Sequence, residues 1–207
     1  MEDVMKQKRI DQEAIKKTTE FHGHWCPGLA IGIRAAGWAL AEMEKSPDEE
    51  IVAVVETDMC GVDAIQYLTG CTFGKGNLIH LDYGKNAFSF YRRKDGKAMR
   101  LVLKSSIYGD SGALLRDLHQ KMQSQGLTRQ EEKTWKETRQ TISRQIMDSD
   151  ITEVFEFKDP AIPIPKKARI FASVICEDCK EPVMETRTRR LDKGMLCIPC
   201  FEALDKR

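Results

Sequence analysis

Residues 51–70 read IVAVVETDMCGVDAIQYLTG. The opening Ile51-Val52-Ala53-Val54-Val55 is a continuous, mostly β-branched apolar run. That composition suits a short strand buried on both faces. Thr57-Asp58-Met59-Cys60-Gly61 follow as a loop. Val62–Thr69 then predict a short helix, with Gly70 as its C-terminal cap. The fold reading grows outward from this strand–loop–helix unit.

Upstream, Ile10, Ala14 and Ile15 recur near helical spacing, which predicts a short helix over 8–20. Phe21-His22-Gly23-His24-Trp25-Cys26-Pro27-Gly28 breaks the periodicity and reads as a tight loop. Pro27 suits a first helical position, where its missing N–H costs nothing. The helix it opens is expected to run to Lys45. It carries Ala30, Gly32, Ala35, Ala36, Gly37, Ala39 and Ala41, so close backbone packing is expected. Ser46-Pro47-Asp48 ends it.

Downstream, strands are expected at Leu78–Leu81, Ala87–Tyr91 and Ala98–Leu103, with Asp95-Gly96 as a hairpin signal. Helices are expected over 111–125 and 128–148. Thr128 with Glu131 three residues later has the form of a capping box. Ile151–Lys158 reads as a last strand. Pro160, Pro163 and Pro165 impose a stiff, extended backbone on a linker over 159–171. The element order predicts an α+β core domain over 1–158, with a mixed sheet packed with helices. A small treble-clef or ribbon-like zinc module over 172–207 follows the linker.

The 207 residues are 41% hydrophobic and 31% charged, with a formal net charge of +1. That balance allows a packed core and gives no global attraction to nucleic acid or acidic membrane. The charged N-terminus lacks the apolar stretch of a secretory signal, and no window is long and apolar enough for a membrane span. The expected compartment is cytoplasmic. Seven cysteines in such a chain read as metal ligands or reactive thiols rather than disulfides.

Four of them are decisive. Cys176, Cys179, Cys197 and Cys200 form C-x2-C-x17-C-x2-C, the spacing of a four-thiolate structural zinc site. The segment between the pairs is too short and polar to bury much surface, so metal binding supplies its folding energy. Four protein ligands leave no open position for catalysis. Arg187, Arg189 and Arg190, with Lys193 nearby, make a small basic patch that reads as a solvated face.

The other three cysteines lie in the core domain. His22, His24, Cys26, Cys60 and Cys71 are candidates for a second, transition-metal or reactive-thiol site, because His and Cys are ligands that zinc and similar ions prefer. Cys26 and Cys60 each precede a helix, whose dipole favours thiolate. Asp63 and Gln66 follow Cys60 at helical spacing. The competing reading is that these cysteines are inert small hydrophobes and the histidines cap backbone groups. Gly70-Cys71-Thr72-Phe73-Gly74-Lys75-Gly76 is not a phosphate loop: it has too few residues between its glycines and no Ser or Thr after the lysine. His80 and His119 read as structural.

Three motifs carry a resemblance. They are Phe21–Gly28 with Gly32 and Arg34, then Glu56-Thr57-Asp58-Met59-Cys60-Gly61-Val62-Asp63-Ala64-Ile65-Gln66, then Thr69–Leu78 followed by Asp82-Tyr83-Gly84-Lys85. Together they resemble the FmdE family, named for a component of formylmethanofuran dehydrogenase. The match covers about residues 15–105 well and the later helices loosely, and some relatives carry the same zinc module. The resemblance implies an α+β core, often a homodimer, with a cleft where the motifs meet. His22, Cys60 and Cys71 would hold a metal there, with Asp63 or a water completing the shell. Cys60, Asp63 and His22 would carry any chemistry, and Gln66, Lys75, Asn77 and Lys85 would bind a small-molecule ligand. It also implies work beside a molybdenum or tungsten enzyme of one-carbon metabolism. Nothing in the chain resembles a molybdopterin-binding or iron–sulfur protein. The alternatives are a metal-delivery or sensing protein and a zinc-module regulator that binds nucleic acid.

Overall fold

The computed structural model describes residues 10–43, 51–191 and 194–204. The turn expected at 46–48, the end of the helix expected to reach Lys45, and Lys193 lie outside them. The chain divides into two units, Met1–Lys167 and Ala168–Arg207.

The first unit opens with helix α1 (Gln12–His22). Asp11 caps it by accepting from the Ala14 N–H, and Gly23 ends it at φ 92 while its N–H bonds the Thr19 carbonyl. A left-handed residue just past the last turn is the ordinary helix stop. The helix therefore runs up to Gly23, and Phe21 and His22 belong to it rather than to the expected loop. Helix α2 (Pro27–Met43) is buried along most of its length. Strand β1 (Ile51–Val55) is buried at every residue, as its apolar run requires. Helix α3 (Gly61–Thr69) stops at Gly70, φ 73.

Strands β2 (Leu78–His80), β3 (Ala87–Arg92) and β4 (Ala98–Leu103) follow. A 3-10 turn at Ser105–Tyr108 leads into α4 (Gly109–Ser124). Helix α5 (Arg129–Asp148) begins with the Thr128–Glu131 capping box. Residues 151–158 are not one strand: α6 (Ile151–Val154) precedes β5 (Phe155–Lys158). Asp150 and Glu153 form a second capping box, which satisfies the first free N–H groups and turns four strand-like residues into a helical turn.

The sheet has the order β2-β1-β3-β4-β5. β1 pairs parallel with β2, and the other pairings are antiparallel, so the sheet is mixed. Alternation along β1 serves two faces. Ile51, Ala53 and Val55 join Phe88, Phe90, Leu101 and Phe155 in the main core with α2 and α5. Val52 and Val54 join Tyr91 on the other face, with Ile162 packed against them. The Tyr91 hydroxyl donates to the Ile162 carbonyl at 3.0 Å, and Arg93 donates to the carbonyls of Pro165 and Lys166. The proline-rich stretch thus lies on the second face of the sheet as far as Lys166. No helix among the described residues is long and apolar enough to cross a membrane.

The second unit holds two antiparallel ribbons, β6 (Ser173–Ile175) with β7 (Pro182–Met184) and β8 (Thr188–Leu191) with β9 (Gly194–Cys197), then helix α7 (Ile198–Leu204). Its core is small: Cys176, Leu196 and Cys197, with Val183, Leu191 and Phe201 against them.

Candidate metal centre

The core centre is built by a helix crossing. A Cβ on Gly32 would stand 2.1 Å from the Gly61 carbonyl oxygen, and one on Gly61 would stand 2.9 Å from the Gly28 carbonyl. α2 and α3 therefore meet backbone to backbone at their N-terminal ends. Cys26, just before α2, and Cys60, just before α3, arrive at the same place. The end of α1 brings His22, and the turn after Gly23 brings His24. One ligand atom from each of His22, His24, Cys26 and Cys60 lies within 4.8 Å of all the others.

His22 is oriented within this group. Its Nδ1 is 2.6 Å from Asp63 Oδ2, which leaves Nε2 facing Cys26 Sγ at 4.0 Å. For a tetrahedral ion with ordinary Zn–N and Zn–S bonds, neighbouring ligand atoms are separated by about 3.6 Å. The spacing is thus within a small closure of a bound set. A carboxylate on the far nitrogen of a ligating histidine fixes its tautomer and raises its basicity. Asp63 stands where such a group stands, behind His22 rather than in the ligand shell.

Cys26 is buried, and its Sγ accepts from the Leu29 N–H at 3.3 Å, as a helix-capping side chain does. For Cys60 the expected dipole effect is outweighed. Burial pushes its thiol up, and neighbouring Cys26 and Asp63 add to the rise. A half-buried thiol facing a second thiol and a carboxylate keeps its proton unless a cation takes its place, which is the chemistry of a metal site rather than of a free nucleophile. His24 is the exposed member, with its ring centroid 4.5 Å from that of His22.

Cys71 does not join this group. It is fully buried, its Sγ donates to the Ile51 carbonyl at 3.4 Å, and burial raises its pKa. Asn77 is braced nearby: its Nδ2 donates to the same carbonyl at 3.1 Å, and its Oδ1 accepts from the Thr72 N–H at 2.9 Å. Both side chains tie the 70–77 loop to β1. Lys75 is exposed on that loop, and Lys85 is exposed with its Nζ 5.7 Å from the Tyr83 ring centre. Gln66 is half-buried one turn beyond Asp63. His80 and His119 are exposed. A hollow of about 250 Å³ borders His24, lined also by Trp25, Trp135 and Arg139. No sequence pattern points to the last two, because they sit on a helix far along the chain from the motifs.

In the second unit, one sulfur from each of Cys176, Cys179, Cys197 and Cys200 lies within 4.8 Å of the others. Cys179 and Cys197 sulfurs are 3.9 Å apart, against about 3.8 Å for tetrahedral thiolates at an ordinary Zn–S length. The Cys197 N–H donates to Cys176 Sγ at 3.3 Å and lowers that thiol to about 6, so one ligand is already disposed to ionise. Cys200 is pushed well above its usual range by Cys197 and Asp178. Arg187, Arg189 and Arg190 are exposed.

Comparison with known proteins follows the same division. Residues 169–206 match the prokaryotic dksA/traR C4-type zinc finger, which together with the four-cysteine cluster makes the second unit a structural zinc module. A probable S-adenosyl-L-methionine-binding protein of Archaeoglobus fulgidus is 33% identical over 198 residues, 89% of this chain and 51% of that protein. The chain thus spans about half the length of that curated relative. A tungsten formylmethanofuran dehydrogenase FmdE-like protein from Syntrophus aciditrophicus has a similar structure, with a TM-score of 0.59 and 26% identity over 95% of this chain and 94% of that one. Residues 21–156, which contain the helix crossing, His22, His24, both N-terminal cysteines and Asp63, match the family model FmdE, molybdenum formylmethanofuran dehydrogenase operon, and the chain belongs to that family of metal-binding proteins.

Proposed function

We propose that the core domain holds a transition metal on His22, His24, Cys26 and Cys60, and that this centre handles a small molecule as an accessory to a molybdenum or tungsten enzyme of one-carbon metabolism. The observation that carries the reading is the 2.6 Å contact of His22 Nδ1 with Asp63, which aims Nε2 at the two thiols. A metal there would act as a Lewis acid. The chain's own residues set its surroundings. Asp63 orients His22, the α2–α3 crossing fixes the two sulfurs, and exposed His24 stands at the rim where a ligand would approach. The names of the family and of the Syntrophus protein support the one-carbon partner. The name of the Archaeoglobus protein supports a small-molecule ligand.

Metal content of the purified chain, measured by mass spectrometry, tests the reading. The wild type is expected to carry about two metals per chain, and a His22→Ala, Cys60→Ala double variant about one. One zinc in both proteins would overturn the core centre and leave the thiols as packing.

A further inference from the structure

The hollow beside His24 has a composition that specifies a ligand class. Trp25 and Trp135 give it two indoles, both partly accessible to solvent. The Arg139 guanidinium carbon lies 4.2 Å from the centre of the Trp135 ring, so the cation is stacked and held in place. Lys136 adds a second positive charge at the wall. Among the described residues neither cation makes an ion pair, and no carboxylate lines the hollow.

We propose that this hollow is a binding subsite for a small planar anion: a single or fused aromatic or heteroaromatic ring bearing a carboxylate. The indoles supply flat apolar surface for the ring. Arg139 offers a planar fork that matches a carboxylate, and Lys136 adds charge. Ser143 Oγ already donates to the Arg139 carbonyl at 2.8 Å, so Gln140 is the neutral hydrogen-bonding group left to select among rings. The volume of about 250 Å³ falls below the ~300–1,000 Å³ of sites for drug-sized ligands. It admits one or two rings and excludes a dinucleotide. His24 belongs both to this hollow and to the metal cluster. The subsite thus holds its ligand against the exposed edge of the centre, and for that placement it rests on the metal reading above.

Titration of tryptophan fluorescence in the full chain tests this, with nicotinate as the probe. Nicotinamide serves as the uncharged isostere and acetate as the charge without the ring. Nicotinate is expected to bind at about 1 mM or tighter, and the two controls at least about tenfold more weakly. Arg139→Gln should weaken nicotinate about tenfold, with the unfolding midpoint and metal content unchanged. Trp135→Leu should weaken it too, read through Trp25. Failure of nicotinate to bind the wild type, or equal binding to Arg139→Gln, overturns the subsite. Metal content measured on the same samples decides the metal centre separately: a metal-loaded core that ignores nicotinate sinks the subsite alone. Nicotinate binding to a core that purifies without metal upholds the subsite and sinks the centre.

Discussion

Gly32 of α2 and Gly61 of α3 touch through their backbones, so that a methyl group on Gly32 would stand 2.1 Å from the Gly61 carbonyl oxygen. No side-chain adjustment relieves that overlap, because the atom met is main chain. Gly32→Ala must push the helices apart. We expect a loss of about 3 kcal/mol or more in unfolding free energy, at the upper end for overpacking. Core metal should be lost with it, because Cys26 and Cys60 ride on the two helix starts. Urea unfolding with metal analysis of the soluble fraction checks both.

Asp63→Ala separates positioning from folding. Asp63 is partly exposed and caps nothing in the core, so the metal-free protein should unfold near the wild-type midpoint. Affinity of the core site for zinc should fall about 10- to 100-fold, the usual effect of removing a carboxylate behind a ligating histidine. Competition with a chromogenic chelator measures it. An unchanged affinity would mean that Asp63 only decorates His22.

Glu56 and Arg100 form a two-pronged ion pair at 2.6 and 2.8 Å, with both side chains largely buried. Arg100 holds the Glu56 carboxyl below its usual 4.5. The folded state therefore binds that proton more weakly than the unfolded chain. The stabilisation is complete above about pH 4.5 and disappears as pH falls through the lower folded value. Glu56→Gln should cost about 3 kcal/mol at neutral pH, by leaving Arg100 buried without its counter-charge. Denaturant melts between neutral pH and about pH 3 should converge for the two proteins as acid removes the difference. Parallel curves would show that the pair is not the titrating element.

Chelation should act on the second unit first. Its apolar core is three residues with a few partners, so the metal supplies most of its folding free energy. A strong chelator is expected to abolish amide protection over 173–204, while β1, β3 and β4 keep theirs. Hydrogen exchange read by mass spectrometry resolves the two regions. Retained protection in β8 and β9 without metal would contradict the zinc-dependent reading.

Local patterns make much of the fold legible. The β-branched run of β1, the Gly70 cap of α3 and the Thr128–Glu131 box of α5 each carry their own physical signal. The resemblance to the FmdE family and the zinc spacing are also legible, and the family matches agree with both. Two element limits differ from the sequence expectation. Gly23 breaks the helical pattern and so suggests a loop at His22, yet a glycine there ends a helix that reaches up to it. Ile151–Val154 look like strand residues until Asp150 and Glu153 are paired as caps. Cys71 is the instructive site residue. Its motif is as rich in glycine as those around Cys26 and Cys60, and only the register of the 70–77 loop on β1 shows that its sulfur turns to Ile51. Trp135 and Arg139 reach the hollow at His24 from more than a hundred positions away, beyond any local pattern.

Helix α1 has little to hold it down by itself. Thr18 is its one buried residue, and Ala14 and Ile15 are only partly covered. His22, in its last turn, is also the residue that faces Cys26 and Cys60. A metal at that place would buckle the N-terminal helix to the body of the domain, closing a loop of 38 residues between His22 and Cys60. Closing such a loop carries an entropic cost that rises only slowly with its length, and the bound ion would bear it in place of a hydrophobic face. The start of the chain would then serve as a latch whose strength tracks metal supply. Starved of metal, the protein would expose this helix to proteases before any strand of its sheet gave way.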